Sequence, residues 1–186
     1  RGGLDERMNG VCAGGTGSFI AQMASLLQTD ASGLNELARD YKRIYPIAAR
    51  CGVFAKTDIP PLINDGAEKA DIAASIFQAV VNQTISGLAC GKPIRGCVAF
   101  LGGPLHFLPE LKKAFIRTLR LTPKNVVDPD NSHLFPAMGA ALESADAPQI
   151  MPAELIARLH SGIHMEFELK RLEPLFASKE EYDEFC

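Results

Sequence analysis

The sequence predicts an α/β fold with a small, mostly parallel sheet and helices on both sides. Three observations carry that expectation. Between residues 96 and 144 the pattern runs strand, glycine turn, helix, strand, helix, the order of parallel strands joined by helical crossovers. Apolar residues recur at helical spacing in 17–28 and again in 71–88. Glycine runs, Gly14-Gly15-Thr16-Gly17 and Gly102-Gly103, stand where helices are expected to begin.

The elements follow in order. Phe19, Ile20, Met23, Ala24 and Leu27 share one helical face. Asp30 is suited to cap a short helix through Leu34, Leu37 and Ala38. Tyr45-Pro46 marks an irregular connection. Cys51–Ala55 is short and apolar, and Ile59-Pro60-Pro61 is expected to start a new turn. The strongest helix holds Asp71 in its first turn, where an acid suits the dipole, and a broad apolar face from Ile72 to Leu88. Gly91-Lys92-Pro93 stops it. Cys97–Leu101 is expected as a buried strand, Leu108–Leu119 as an amphipathic helix, Val126-Val127 as a brief strand and Phe135–Ser144 as a small-residue helix. After Ala147-Pro148 the composition shifts. A short helix over Ala153–His160 and then a charged tail are expected there. The domain reading is therefore one lobe over 1–147, with a helical insertion at about 29–90, and an appendage or linker start over 148–186.

The chain of 186 residues suits one domain or one large lobe. A net charge of −3 gives no positive field to attract nucleic acid. No apolar run approaches the roughly 18 residues of a membrane span. Five cysteines, an odd number, with no secretory pattern argue for a reducing, cytoplasmic setting rather than a disulfide framework. Cys90 and Cys97 are expected to be small buried residues. The chain opens Arg1-Gly2-Gly3-Leu4, which reads as a fragment or processed product.

Three constellations could carry chemistry. Gly14, Gly15, Thr16 and Gly17 let backbone N–H groups approach an anion at a helix N-terminus. A tight turn before a helix explains the same residues, and no lysine follows where a P-loop needs it. Cys12 and Cys51 lie 39 positions apart and cannot complete a four-thiolate site alone. Four-thiolate ligation takes two copies of the chain, and two unrelated buried thiols are the plain alternative. Gly102-Gly103 would let a nucleoside pack on backbone at a strand end, or would simply turn the chain. His106 follows that turn, where a surface or capping role is expected. Asp58 and Asp128 are lone acids near turns, with no spacing that marks a catalytic base.

Together these segments resemble the ATP-dependent activators of 2-hydroxyacyl-CoA dehydratases and the related ATPase subunits of benzoyl-CoA reductase, members of the acetate-kinase and actin-like ATPase superfamily. The resemblance rests on Asn9-Gly10-Val11-Cys12-Ala13-Gly14-Gly15-Thr16-Gly17-Ser18-Phe19, Cys51-Gly52-Val53-Phe54-Ala55, Phe100-Leu101-Gly102-Gly103 and Gly139-Ala140-Ala141-Leu142, over roughly residues 8–144. It implies the second lobe of an actin-like (ribonuclease H-like) ATPase. It further implies a homodimer sharing one [4Fe-4S] cluster held by Cys12 and Cys51 of each copy, and ATP or ADP with Mg at Gly14–Gly17 and Gly102-Gly103. The implied activity is electron transfer driven by ATP into a dehydratase or reductase component. The phosphate loops that lie upstream in such proteins are absent here, so a missing N-terminal lobe is expected to complete the cleft, and this chain alone is expected to be inactive. Pro104-Leu105-His106-Phe107 replaces the polar residues usual after the glycine pair. The alternatives are a sugar-kinase-like nucleotide-binding lobe, in which both cysteines are incidental, and a non-catalytic dimerisation or docking module.

Overall fold

The computed structural model describes residues 5–8, 17–49, 51–162 and 175–186. They form two compact units, residues 1–144 and 145–186.

The first unit is built around a long helix. Helix α1 (Gly17–Leu26) buries Phe19, Ile20, Met23 and Ala24, the stripe the periodicity predicts. It ends as Gln28 turns left-handed at φ 60. Helix α2 (Ala31–Leu37) is capped by Asp30, whose carboxylate accepts the Gly33 N–H at 2.7 Å. After a tight turn at Ala38–Asp40, residues 41–48 run without helix or sheet partner. Helices α3 (Gly52–Asn64) and α4 (Lys69–Ala89) follow. Helix α4 buries Ile72, Ala73, Ile76, Phe77, Val80 and Val81 against α1, α2, α3 and α6 (Pro109–Leu119). Each large side chain fully buried there stabilises by about 1.5–3 kcal/mol.

Strand β1 (Val98–Ala99) pairs in parallel with β2 (Val126–Val127), in register Val98 to Val126. The crossover between them is α5 (Gly103–Phe107) and α6. Phe100 goes into the core and meets the Phe115 ring at 6.1 Å. Helix α6 is seated from α2, where the buried Asn35 accepts the Glu110 N–H at 2.9 Å. Helix α7 (Phe135–Glu143) closes this unit with no buried residue.

Four expectations change. The Cys97–Leu101 strand shrinks to two residues, since it pairs with a two-residue β2, and it is not buried throughout, because alternate positions face opposite ways: Phe100 is buried while Cys97, Ala99 and Leu101 are exposed. Cys90 is also exposed, since it is the left-handed residue (φ 46) that ends α4 beyond its last apolar turn. No helix breaks at Ile59-Pro60-Pro61. Both prolines sit inside α3, which continues past them to Asn64 and buries Ala55 and Ile59 on one face. Helix α3 stops instead at Gly66 (φ 79), with the Ala67 N–H bonded to the Leu62 carbonyl. Finally, α4 is long and apolar enough by composition to cross a membrane, but half of that window is buried in the unit, as in the core helix of a folded domain.

In the second unit, α8 (Pro152–His160) carries Leu155, Ile156 and Leu159 exposed, and a Glu154–Arg158 ion pair at 2.7 Å. The tail expected to be merely charged contains α9 (Lys179–Phe185), capped by Ser178, with Phe176 against the Tyr182 and Phe185 rings.

Candidate functional site

Three of the features singled out in the sequence meet at the first turn of α1. Gly17 opens that helix, and a Cβ there would lie 3.7 Å from Pro104 Cγ of α5. Phe19, two residues on, lies against Gly52, where a Cβ would come within 3.3 Å of the ring. The turn that holds Cys51 and the turn that holds Gly102-Gly103 therefore flank the same helix end. Cys12, Gly14, Gly15 and Thr16 lie outside the described residues.

Cys51 is the N-cap residue of α3. Its backbone is extended (φ −135, ψ 125), and its carbonyl accepts the Ala55 N–H at 3.0 Å. Its side chain makes no capping bond, and the thiol is half-buried and free. Among the described residues no three His, Cys, Asp or Glu side chains gather as a metal site. The described part of one chain thus holds no complete centre.

Gly102 leaves β1 at φ 95, ψ 161, a conformation that suits only glycine. Its N–H donates to the Ser132 carbonyl at 2.9 Å, and its carbonyl accepts the His106 N–H at 3.0 Å. Beyond Gly103 the space is open: an added Cβ meets only the Phe107 ring, at 4.0 Å. Gly17, Ile20, Gly103, Pro104 and Phe107 line one apolar cleft of about 170 Å³ at the carboxyl end of β1. That end is where parallel sheets bind ligands.

His106 is half-buried rather than superficial. Its Nδ1 lies 2.9 Å from the Ser132 hydroxyl, and its ring stacks on His133 at 4.0 Å with Phe107 edge-on. Asp128 pairs with Lys112 at 2.6 Å, and Asp58 accepts the Ala48 N–H at 2.8 Å, so both lone acids have structural bonds.

Sequence reasoning missed the strap over 41–48. Its amides are held by side chains: Lys42 and Arg43 N–H by Asp71 at 2.7 and 3.0 Å, Tyr45 N–H by Ser75 at 2.8 Å, and Ala48 N–H by Asp58. The Lys42 and Arg43 amides hold the Asp71 carboxyl below the usual carboxylate range. The signal was present in Asp71 and Ser75, two polar residues one turn apart within an apolar helix face. A second missed feature is Arg7, which donates to the Leu88 and Ala89 carbonyls at 3.3 Å and caps the end of α4.

The model of the BadF/BadG/BcrA/BcrD ATPase family matches residues 3–144. The chain belongs to that family. It is 29% identical over 143 residues to the 2-hydroxyisocaproyl-CoA dehydratase activator of Clostridioides difficile, covering 77% of this chain and 52% of the relative. To the (R)-2-hydroxyglutaryl-CoA dehydratase activating ATPase of Acidaminococcus fermentans it is 39% identical over 98 residues, 52% of this chain and 37% of the relative. The crystal structure of component A of that Acidaminococcus dehydratase superposes with TM-score 0.66 at 30% identity, over 74% of this chain and 51% of that one. The activator of the Clostridium difficile 2-hydroxyisocaproyl-CoA dehydratase, with bound ADPNP, gives TM-score 0.64 at 24% identity, over 89% and 55%. This chain spans about half the length of the relatives it matches. The α/β lobe expected from the sequence is thus the fold of the actin-like ATPase activators.

Proposed function

We propose that this chain is the part of an activase-type ATPase that presents a cluster ligand and one wall of a nucleotide cleft. The observation that carries the reading is the junction at the first turn of α1, where the Cys51 turn and the Gly102-Gly103 turn flank Gly17. In this reading Cys12 and Cys51 of two copies hold one [4Fe-4S] cluster in a homodimer, in a reducing cytoplasm. When bound, that cluster supplies a low-potential electron to a 2-hydroxyacyl-CoA dehydratase or a related reductase component. Cys51 offers its sulfur at the α3 N-terminus. Gly14, Gly15, Thr16 and Gly17 approach the phosphates of ATP with Mg, and Gly102 and Gly103 leave room for the nucleoside. Family membership, and relatives named as dehydratase activators, support this over a sugar-kinase-like lobe.

Anaerobic reconstitution with iron and sulfide tests it. The expected result is about four irons per two chains, lost on Cys12→Ser or Cys51→Ser, with light scattering reporting the dimer. Iron uptake indifferent to both substitutions would refute the reading.

A further inference from the structure

Cys51 is held in place from a distance. Its own side chain makes no cap bond, so the sulfur is not anchored to the helix it begins. The position of the turn depends on what grips the chain on either side. After Cys51, α3 is fixed by Ala55 and Ile59, both fully buried. Before it, the strap has no sheet partner, and its amides must find acceptors elsewhere. Asp71 and Ser75 of α4 hold Lys42, Arg43 and Tyr45, six or more residues upstream of Cys51. The near anchor is Asp58, whose Oδ2 accepts the Ala48 N–H at 2.8 Å, three residues before the thiol. Asp58 lies seven residues after Cys51, two turns along α3, so it shares the face on which the strap arrives. One hydrogen bond therefore closes the segment from Ala48 to Asp58 with Cys51 inside it.

We propose that Asp58 is a positioning residue for the Cys51 sulfur: by gripping the Ala48 amide it fixes where the Cys51 turn presents its thiol at the start of α3. The proposal rests on the cluster reading above for its purpose, but its geometry is independent of any bound cluster. Without the carboxylate the half-buried Ala48 N–H loses its acceptor and turns toward water. Cys51 then loses its near upstream anchor while both helices remain. Asparagine keeps a carbonyl acceptor at the same place and should serve almost as well.

The test compares Asp58→Ala with Asp58→Asn in the same protein. Iodoacetamide labelling of the iron-free protein, resolved cysteine by cysteine in a mass spectrometer, should show the Cys51 rate changed several-fold in Asp58→Ala. Cys90 and Cys97 should label as in the parent, as should Cys51 in Asp58→Asn. After reconstitution, a chelator should strip iron from Asp58→Ala on the order of 10-fold faster, with Asp58→Asn close to the parent. Two results overturn the proposal: Asp58→Ala matching the parent in both measurements, or Asp58→Ala and Asp58→Asn failing together with a common loss of melting temperature. If the parent itself takes up no iron, the cluster reading falls, and the labelling rates alone decide the role of Asp58.

Discussion

Gly52→Val tests the junction that brings the site together. A Cβ at Gly52 already comes within 3.3 Å of Phe19 Cδ2 and 3.5 Å of Cε2. Carbon atoms pack best at about 3.5–4.0 Å, so even alanine pushes the ring by a few tenths of an ångström. Valine adds two methyl groups beyond that point. Phe19 is 3% exposed and has little space to retreat into. Overpacking of this kind costs about 1–3 kcal/mol. For a chain of this length each kcal/mol lowers Tm by about 2–4 °C, so the expected fall is about 2–12 °C by circular dichroism. The decisive measurement is a double-mutant cycle with Phe19→Leu. If the ring is what valine strikes, the smaller leucine should relieve it, and the double variant should recover at least about 0.5 kcal/mol over the sum of the single losses. Additivity within about 0.3 kcal/mol would mean the two positions do not touch, and the convergence of the Cys51 turn on α1 would go with it.

Other perturbations separate the remaining parts of the site. Gly103→Val projects into open space and toward Phe107, so it should leave Tm unchanged while weakening ADP binding about 10-fold, or 1.4 kcal/mol, by calorimetry; unchanged affinity would remove Gly103 from the nucleotide wall. Ser132→Ala takes the hydroxyl from His106 Nδ1 at a fully buried position and should cost about 1–3 kcal/mol in urea unfolding. Because the Asp71 carboxyl is held below its ordinary range in the folded protein, the stability it adds is present above its unfolded pKa of about 3.9 and is lost as pH falls through the folded value. The urea midpoints of the parent and Asp71→Asn should therefore converge in that acid window, and a constant gap would contradict the strap bonds. Arg7→Ala should speed amide exchange in the last turn of α4, since two carbonyls lose their cap.

What the sequence made legible was set by pattern. Phe19, Ile20, Met23 and Ala24 are buried as their spacing requires, and Asp30 caps as its type requires, because both effects act within one turn of helix. Val126-Val127 was legible as a strand, since β-branched pairs fit the pleat. The errors came where a distant contact decided. Pro60 and Pro61 are strong local breakers, yet α3 continues through them, with Ala55 and Ile59 buried on one face. The exposure of Cys97 depended on which face of a two-residue strand met Phe115. Gly17, the Cys51 turn and Gly103 could each be named from local type, but their meeting at α1 rests on Phe19 and Pro104 contacts that no spacing encodes.

The strap explains why a core helix keeps polar residues on a buried face. Asp71 and Ser75 interrupt the apolar run of α4 at a place where alanine would pack as well and cost no desolvation. Their oxygens accept three amides of a segment that has no second strand to pair with. Ser75 also donates to the Asp71 carbonyl at 2.6 Å, so it remains satisfied within the helix while serving the strap. A strand in a sheet can slip by two residues and keep its side-chain faces, because every neighbour offers the same ladder. A segment hung on individual oxygens meets acceptors only where Asp71, Ser75 and Asp58 stand, and Pro46, which has no N–H, cannot take the place of a donor. The residues that weaken α4 as an apolar core helix thus hold the chain that enters Cys51. In the cluster reading proposed above, the Cys51 sulfur is placed by that chain, since its own side chain makes no capping bond.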